Sequence, residues 1–139
     1  MQNFQNQQEE PKPIRPYLIR AVLEYCRDTG ATPYVVVQVD DYCQVPTEYV
    51  REGQIVFDVS DEAVHQFNID DEAMTFQARF GEDNVIFEVY VPVNRISMVM
   101  PLEYQHCGFT FKVLPTQPTD GKAETLFETA APRRPTRLK

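Results

Sequence analysis

The sequence predicts a mainly β protein with one N-terminal α-helix, folded as a small antiparallel barrel or sandwich. Apolar residues recur at helical spacing only between about residues 16 and 29. Beyond Thr32-Pro33 the period falls to two, in short runs separated by turn residues. At 139 residues the chain suits one domain with a single core and free ends.

Residues 1–13 are polar, Gln/Asn-rich and end in Pro11-Lys12-Pro13, which reads as a disordered arm. The helix is expected to begin near Pro16, since proline is favoured at the first helical position, and to stop at Gly30. Leu18, Val22 and Tyr25 share one side of it, with Tyr17 and Ala21 beside them. That apolar arc is wide, and it can cover the body, a second subunit, or both.

Tyr34–Val39 is dense in β-branched residues and reads as a buried strand. Gln54–Val59 alternates, with Ile55, Phe57 and Val59 on one face. In 74–80, Met74, Phe76, Ala78 and Phe80 oppose Thr75, Gln77 and Arg79. In 85–91, Val85, Phe87, Val89 and Val91 oppose Ile86, Glu88 and Tyr90. Ile96–Met100 and Phe109–Val113 complete the strands, and turns fall at 51–53, 70–72 and 81–84. His65 lies in a stretch read as a short turn or helix. From 115 to 132 the pattern gives way to a Thr/Ala/Pro-rich linker, so the predicted body spans 14–114.

The composition is that of a globular chain, 42% apolar and 12% aromatic, with no apolar run near the roughly 20 residues that a membrane helix needs. No apolar export signal is read at the N-terminus. Cys26, Cys43 and Cys107 are an odd, widely spaced set, which suits reduced thiols and a cytoplasmic setting. The net charge is -8, yet residues 133–139 carry four positive charges. Residues 1–132 therefore hold nine basic against 21 acidic side chains, or -12. Such a body repels phosphate backbones, which speaks against nucleic acid as partner. The basic tail, by contrast, suits either a short docking motif or a solvated terminus.

The residues assemble no convincing catalytic, cofactor or metal site. His106 and Cys107 are neighbours, but a closed zinc site needs four ligands and no matching pair accompanies them. A Cys43 nucleophile lacks a supporting pattern, the five scattered glycines form no phosphate loop, and the Asp40-Asp41 and Asp70-Asp71-Glu72 carboxylates fall in turns. The expected protein is not an enzyme and uses no cofactor.

Four segments in register, Arg15–Ala21, Thr32–Val37, Val45–Val56 and Phe76–Gly81, resemble the stringent starvation protein B family, with similar order and spacing from about Arg15 through Val91. The family comprises bacterial adaptors that deliver tagged proteins to the ClpXP protease. The resemblance implies an N-terminal helix on a small Sm-like antiparallel β-barrel, dimerisation through that helix to give a homodimer, and a disordered C-terminal tail. It implies binding of the ssrA tag, a peptide added to products of stalled ribosomes, by Thr47, Glu48, Tyr49, Gln77, Ala78, Arg79, Phe80 and Gly81. It places Tyr17, Leu18, Ala21, Val22 and Tyr25 in the dimer interface. The tail motif maps to Arg134, Pro135, Thr136, Arg137, Leu138 and Lys139, docking on the N-terminal domain of the ClpX unfoldase.

An extended peptide needs backbone partners, small residues where it passes closely, and apolar walls. Ala78 and Gly81 are small, Tyr49 and Phe80 can be walls, and Arg79 can meet an acidic tag residue or a carbonyl. Against this, alternation turns Phe76, Ala78 and Phe80 toward the core. The core is preferred for Phe76 and binding for Ala78, Gly81 and Tyr49. The runner-up is an Sm-like RNA-binding protein, opposed by the -12 charge, and a third reading is a hydrolase using His106 and Cys107.

Overall fold

The computed structural model describes residues 11–116. Helix α1 spans Arg15–Thr29. Pro16 stands in its first turn, where a missing N–H costs nothing. It ends where Gly30 turns left-handed, at φ 81°, and donates its N–H to Cys26 O at 2.8 Å. The helix buries Ile19, Val22, Leu23 and Cys26, spaced three and four apart on one stripe. Arg15 stitches its start to the far end of the body: the guanidinium donates to Asn94 O, Ile96 O and Lys112 O and lies 5.0 Å from the centre of the Phe111 ring.

Seven strands follow among the described residues: β1 (Pro33–Gln38), β2 (Gln54–Asp58), β3 (Val64–Ile69), β4 (Ala73–Phe80), β5 (Val85–Pro92), β6 (Ile96–Pro101) and β7 (Phe109–Thr110). All pairings between them are antiparallel. They form one sheet of order β2-β1-β6-β7 and a second of order β3-β4-β5. The expected mainly antiparallel β body with one helix is present, and among the described residues the two sheets share a core with the helix without closing on one another. Val35, Val37, Ile55, Phe57, Ile96 and Val99 come from the first sheet, and Val64, Met74, Phe76, Val89 and Val91 from the second. Phe57 and Phe76 meet across the sheets edge to face, 5.2 Å between centroids.

The strand that the sequence hid is β3. Its burial does not alternate, Gln66 adopts φ 55°, and the register with β4 shifts between His65 and Asn68. A bulge inserts a residue and breaks the period-two signal. His65 therefore lies in a strand, not in a turn or helix. The last strand is shorter than expected, two residues with one further bond from Phe111 N to Ser97 O at 2.8 Å. Its approach depends on Gly108, where a Cβ would stand 2.5 Å from Val99 O. The 1–10 arm, most of the 115–132 linker and the 133–139 motif lie outside the described residues.

Candidate peptide-binding cleft

The β4–β5 hairpin runs past the end of the core. Its ladder is unbroken from Ala73↔Pro92 to Phe80↔Val85, but burial fades along it: Met74 and Val91 are wholly buried, while Val85 is 58% exposed. The turn uses left-handed backbone at Gly81 (φ 79°) and Asn84 (φ 55°), residue types that accept it at low cost.

A second segment runs beside this tip. Gln44 bridges Tyr90 on β5, donating its backbone N–H to Tyr90 O at 2.8 Å and accepting from Tyr90 N at 3.0 Å. Its side-chain amide donates to Glu88 O at 2.7 Å. Thus pinned, the chain passes through Val45 and Pro46 into a single 3₁₀ turn at Thr47–Tyr49.

Between the two lies an open cleft of about 470 Å³, lined by residues 45–49, Phe80–Asp83, Val85 and Phe87. Tyr49 and Phe80 form one aromatic wall, with centroids 5.6 Å apart, and Phe80 meets Phe87 edge to face at 6.1 Å. Gly81 is small for a reason: a Cβ there would sit 3.3 Å from the Tyr49 hydroxyl oxygen. The rim is acidic, carrying Glu48, Glu82 and Asp83, and no lysine, arginine or histidine lines the cleft among the described residues. Two arginines outside the lining bond to backbone at its margins: Arg51 donates to Glu48 O and Val50 O, and Arg79 to Asn84 O.

Of the eight residues expected at a peptide site, five line this cleft: Thr47, Glu48, Tyr49, Phe80 and Gly81. Three do not. Ala78 is 8% exposed and belongs to the core, opposite Val64 and Phe87. Gln77 and Arg79 face the other side of β4, where Gln77 donates its amide to a Glu88 carboxylate oxygen at 3.2 Å. Sequence reasoning overlooked Val45, Pro46, Glu82, Asp83, Val85 and Phe87 as lining residues. Alternation sets Val85 and Phe87 on one face with Val89 and Val91, which reports a face of the strand but not where the core stops. The pinning role of Gln44 had no sequence signal, because it depends on a strand more than forty positions away.

The helix splits the expected interface residues as well. Val22 is 4% exposed and packed in the protomer's core, and Leu18 is half-buried. Tyr17, Ala21 and Tyr25 are exposed. Partial desolvation of the Tyr25 hydroxyl, followed by the neighbouring Cys107 and Tyr104, raises its pKa although the residue is exposed.

The reading of Cys43 as a nucleophile weakens. Burial pushes the Cys43 thiol up to about 12, which removes its nucleophile at neutral pH. Cys107 and His106 are exposed. No described helix is long and apolar enough to cross a membrane.

A helix on two antiparallel sheets, with an open aromatic cleft at one hairpin tip, defines a small β body built to present a surface groove. The family model for stringent starvation protein B matches residues 13–136, and the chain belongs to that family. It is 39% identical over 82 residues to a stringent starvation protein B homolog of Haemophilus influenzae, covering 58% of this chain. The matched region spans 53% of that relative's length.

Proposed function

We propose that this chain is a non-enzymatic cytoplasmic adaptor: it holds the ssrA tag in the cleft between residues 45–49 and the β4–β5 tip, and brings tagged polypeptides to ClpXP. The observation that carries the reading is the convergence, in one cleft, of two sequence segments that resemble the family's tag-binding motifs. β5 is the edge of its sheet, so beyond the Gln44–Tyr90 bridge an extended peptide can run along it, apolar side chains against Tyr49, Phe80 and Phe87. The acidic rim disfavours the RNA-binding alternative. In this reading the two open sheets are the family's Sm-like body, and Tyr17, Ala21 and Tyr25 form the exposed seam of a homodimer, with two clefts and two tails.

Tethering acts through effective concentration, so that two modest contacts on one chain reinforce each other by roughly 10²–10⁴. The deciding measurement is binding of a fluorescent ssrA-type peptide to the purified protein, by anisotropy. Binding that is insensitive to substitution at Tyr49 and Gly81 would place the site elsewhere. The delivery half has its own test. Removal of residues 133–139 is expected to leave tag binding in place while abolishing accelerated degradation of a tagged substrate held at low concentration. Full delivery by the shortened chain would return the tail to an inert terminus.

A further inference from the structure

We infer that the basic tail, residues 133–139, occupies the acidic cleft of its own chain when no peptide is bound, so that the tail and the tag compete for one site. The inference rests on the reading of the cleft as a peptide site and adds an internal occupant to it.

Three features converge. The first is charge. Glu48, Glu82 and Asp83 rim the cleft without a lining cation among the described residues, and the tail carries Arg133, Arg134, Arg137 and Lys139. The second is shape. Leu138 stands between Arg137 and Lys139, so the tail offers one aliphatic side chain to an aromatic floor and cations to the rim on either side.

The third is where the described chain ends. Thr116 donates its hydroxyl to Asp40 Oδ2 at 2.9 Å, and Arg95 holds the same carboxylate at 3.4 Å while donating to Leu114 O. Asp40 in turn accepts from Cys43 N at its carbonyl and from Cys43 Sγ at its side chain. The cleft wall begins at Val45, two residues and at most about 7 Å of chain further on. The tail's root is thereby clamped next to the cleft. The sixteen residues from 117 to 132 extend to 50 Å or so, ample to bring residue 133 back to the rim.

The consequence is a linkage. A tail held in the cleft is unavailable for docking, and a bound peptide sets it free. By reciprocity, any partner that captures the tail tightens the cleft for peptide by the same factor. An idle adaptor would then compete poorly for the unfoldase.

The test compares the full chain with a full chain carrying Arg133→Ser, Arg134→Ser, Arg137→Ser and Lys139→Ser. The readouts are affinity for a fluorescent ssrA-type peptide and the amide chemical shifts of Gly81–Val85. At low salt the serine chain is expected to bind peptide about two- to tenfold more tightly, given a millimolar-range effective concentration for the tail. The difference should vanish near 1 M salt, where the screening length is about 3 Å. It should also vanish in a Glu82→Gln, Asp83→Asn background, which would tie the effect to the rim. Equal affinity together with coincident Gly81–Val85 shifts at low salt overturns the inference and leaves the tag reading intact. Failure of both chains to bind peptide, with shifts that still differ between them, removes the tag reading and keeps the tail in the cleft.

Discussion

The two ends of the β4–β5 hairpin share one hydrogen-bond ladder and differ in almost everything else. At the base, Met74, Phe76, Val89 and Val91 are at most 3% exposed. At the tip, Val85 and Ile86 are about half exposed, and Phe80 is half-buried against Tyr49. Backbone pairing is therefore not what separates scaffold from site. The ladder supplies rigidity throughout, and the point at which the core ends leaves apolar side chains only partly covered. A rigid strand end with uncovered aromatic side chains is a surface on which a partner can gain free energy by covering them.

The sharpest way to break that comparison is at Ala78, the last fully core-facing position before the tip. Ala78→Gln inserts a long amide between Val64 and Phe87, the residues opposite it on the flanking strands. It should cost roughly 2–4 kcal/mol through overpacking and an unpaired buried polar group. Denaturant unfolding measures this. A fully stable Ala78→Gln protein that has lost only peptide binding would move the core boundary toward the base and put Ala78 in the site.

Gly81, three residues on, should combine a smaller loss of stability with a loss of peptide binding. Gly81→Ala strains a backbone at φ 79°, costing about 1–2 kcal/mol of stability. It also presses on the Tyr49 hydroxyl. Tag-peptide affinity is expected to fall about tenfold, equivalent to about 1.4 kcal/mol. An unchanged affinity would dissociate the Tyr49–Gly81 contact from binding.

The helix repeats the contrast across its width instead of along its length. Tyr25→Glu, on the exposed side, should change protomer stability by less than about 0.5 kcal/mol while weakening self-association in sedimentation at micromolar concentration. A charge at buried Val22 would report on folding instead, so Val22 cannot test the seam. If Tyr25→Glu leaves the oligomeric state untouched, the exposed tyrosines are not an interface.

The smallest effect belongs to an exposed contact outside the hairpin. Glu103 accepts from Thr32 N and Thr32 Oγ1, both at 2.8 Å, and these bonds hold its carboxyl below the usual range. A depressed folded-state pKa contributes stability above the unfolded-state value and loses it as pH falls through the folded one. Glu103→Gln should therefore lower the melting temperature slightly at neutral pH, and the two proteins should converge in acid. A gap that persists at low pH would assign the effect to shape, not charge.

The sequence by itself determined the helix and its limits, because Pro16 and Gly30 act through local backbone geometry. It also determined six of the seven strands, because alternation is written into neighbouring residues, and it supplied the family, through four segments in register. Tertiary structure alone decided the rest. It revealed β3, whose bulge erases the local period, and it arranged the strands as two sheets that are not closed on one another. It divided the eight expected site residues into five at the cleft and three elsewhere. Alternation sets Phe76, Ala78 and Phe80 on one face of a strand. Whether that face meets the core or a groove depends on where Gln44 pins a segment from another part of the chain, and that long-range contact leaves no trace in the local sequence.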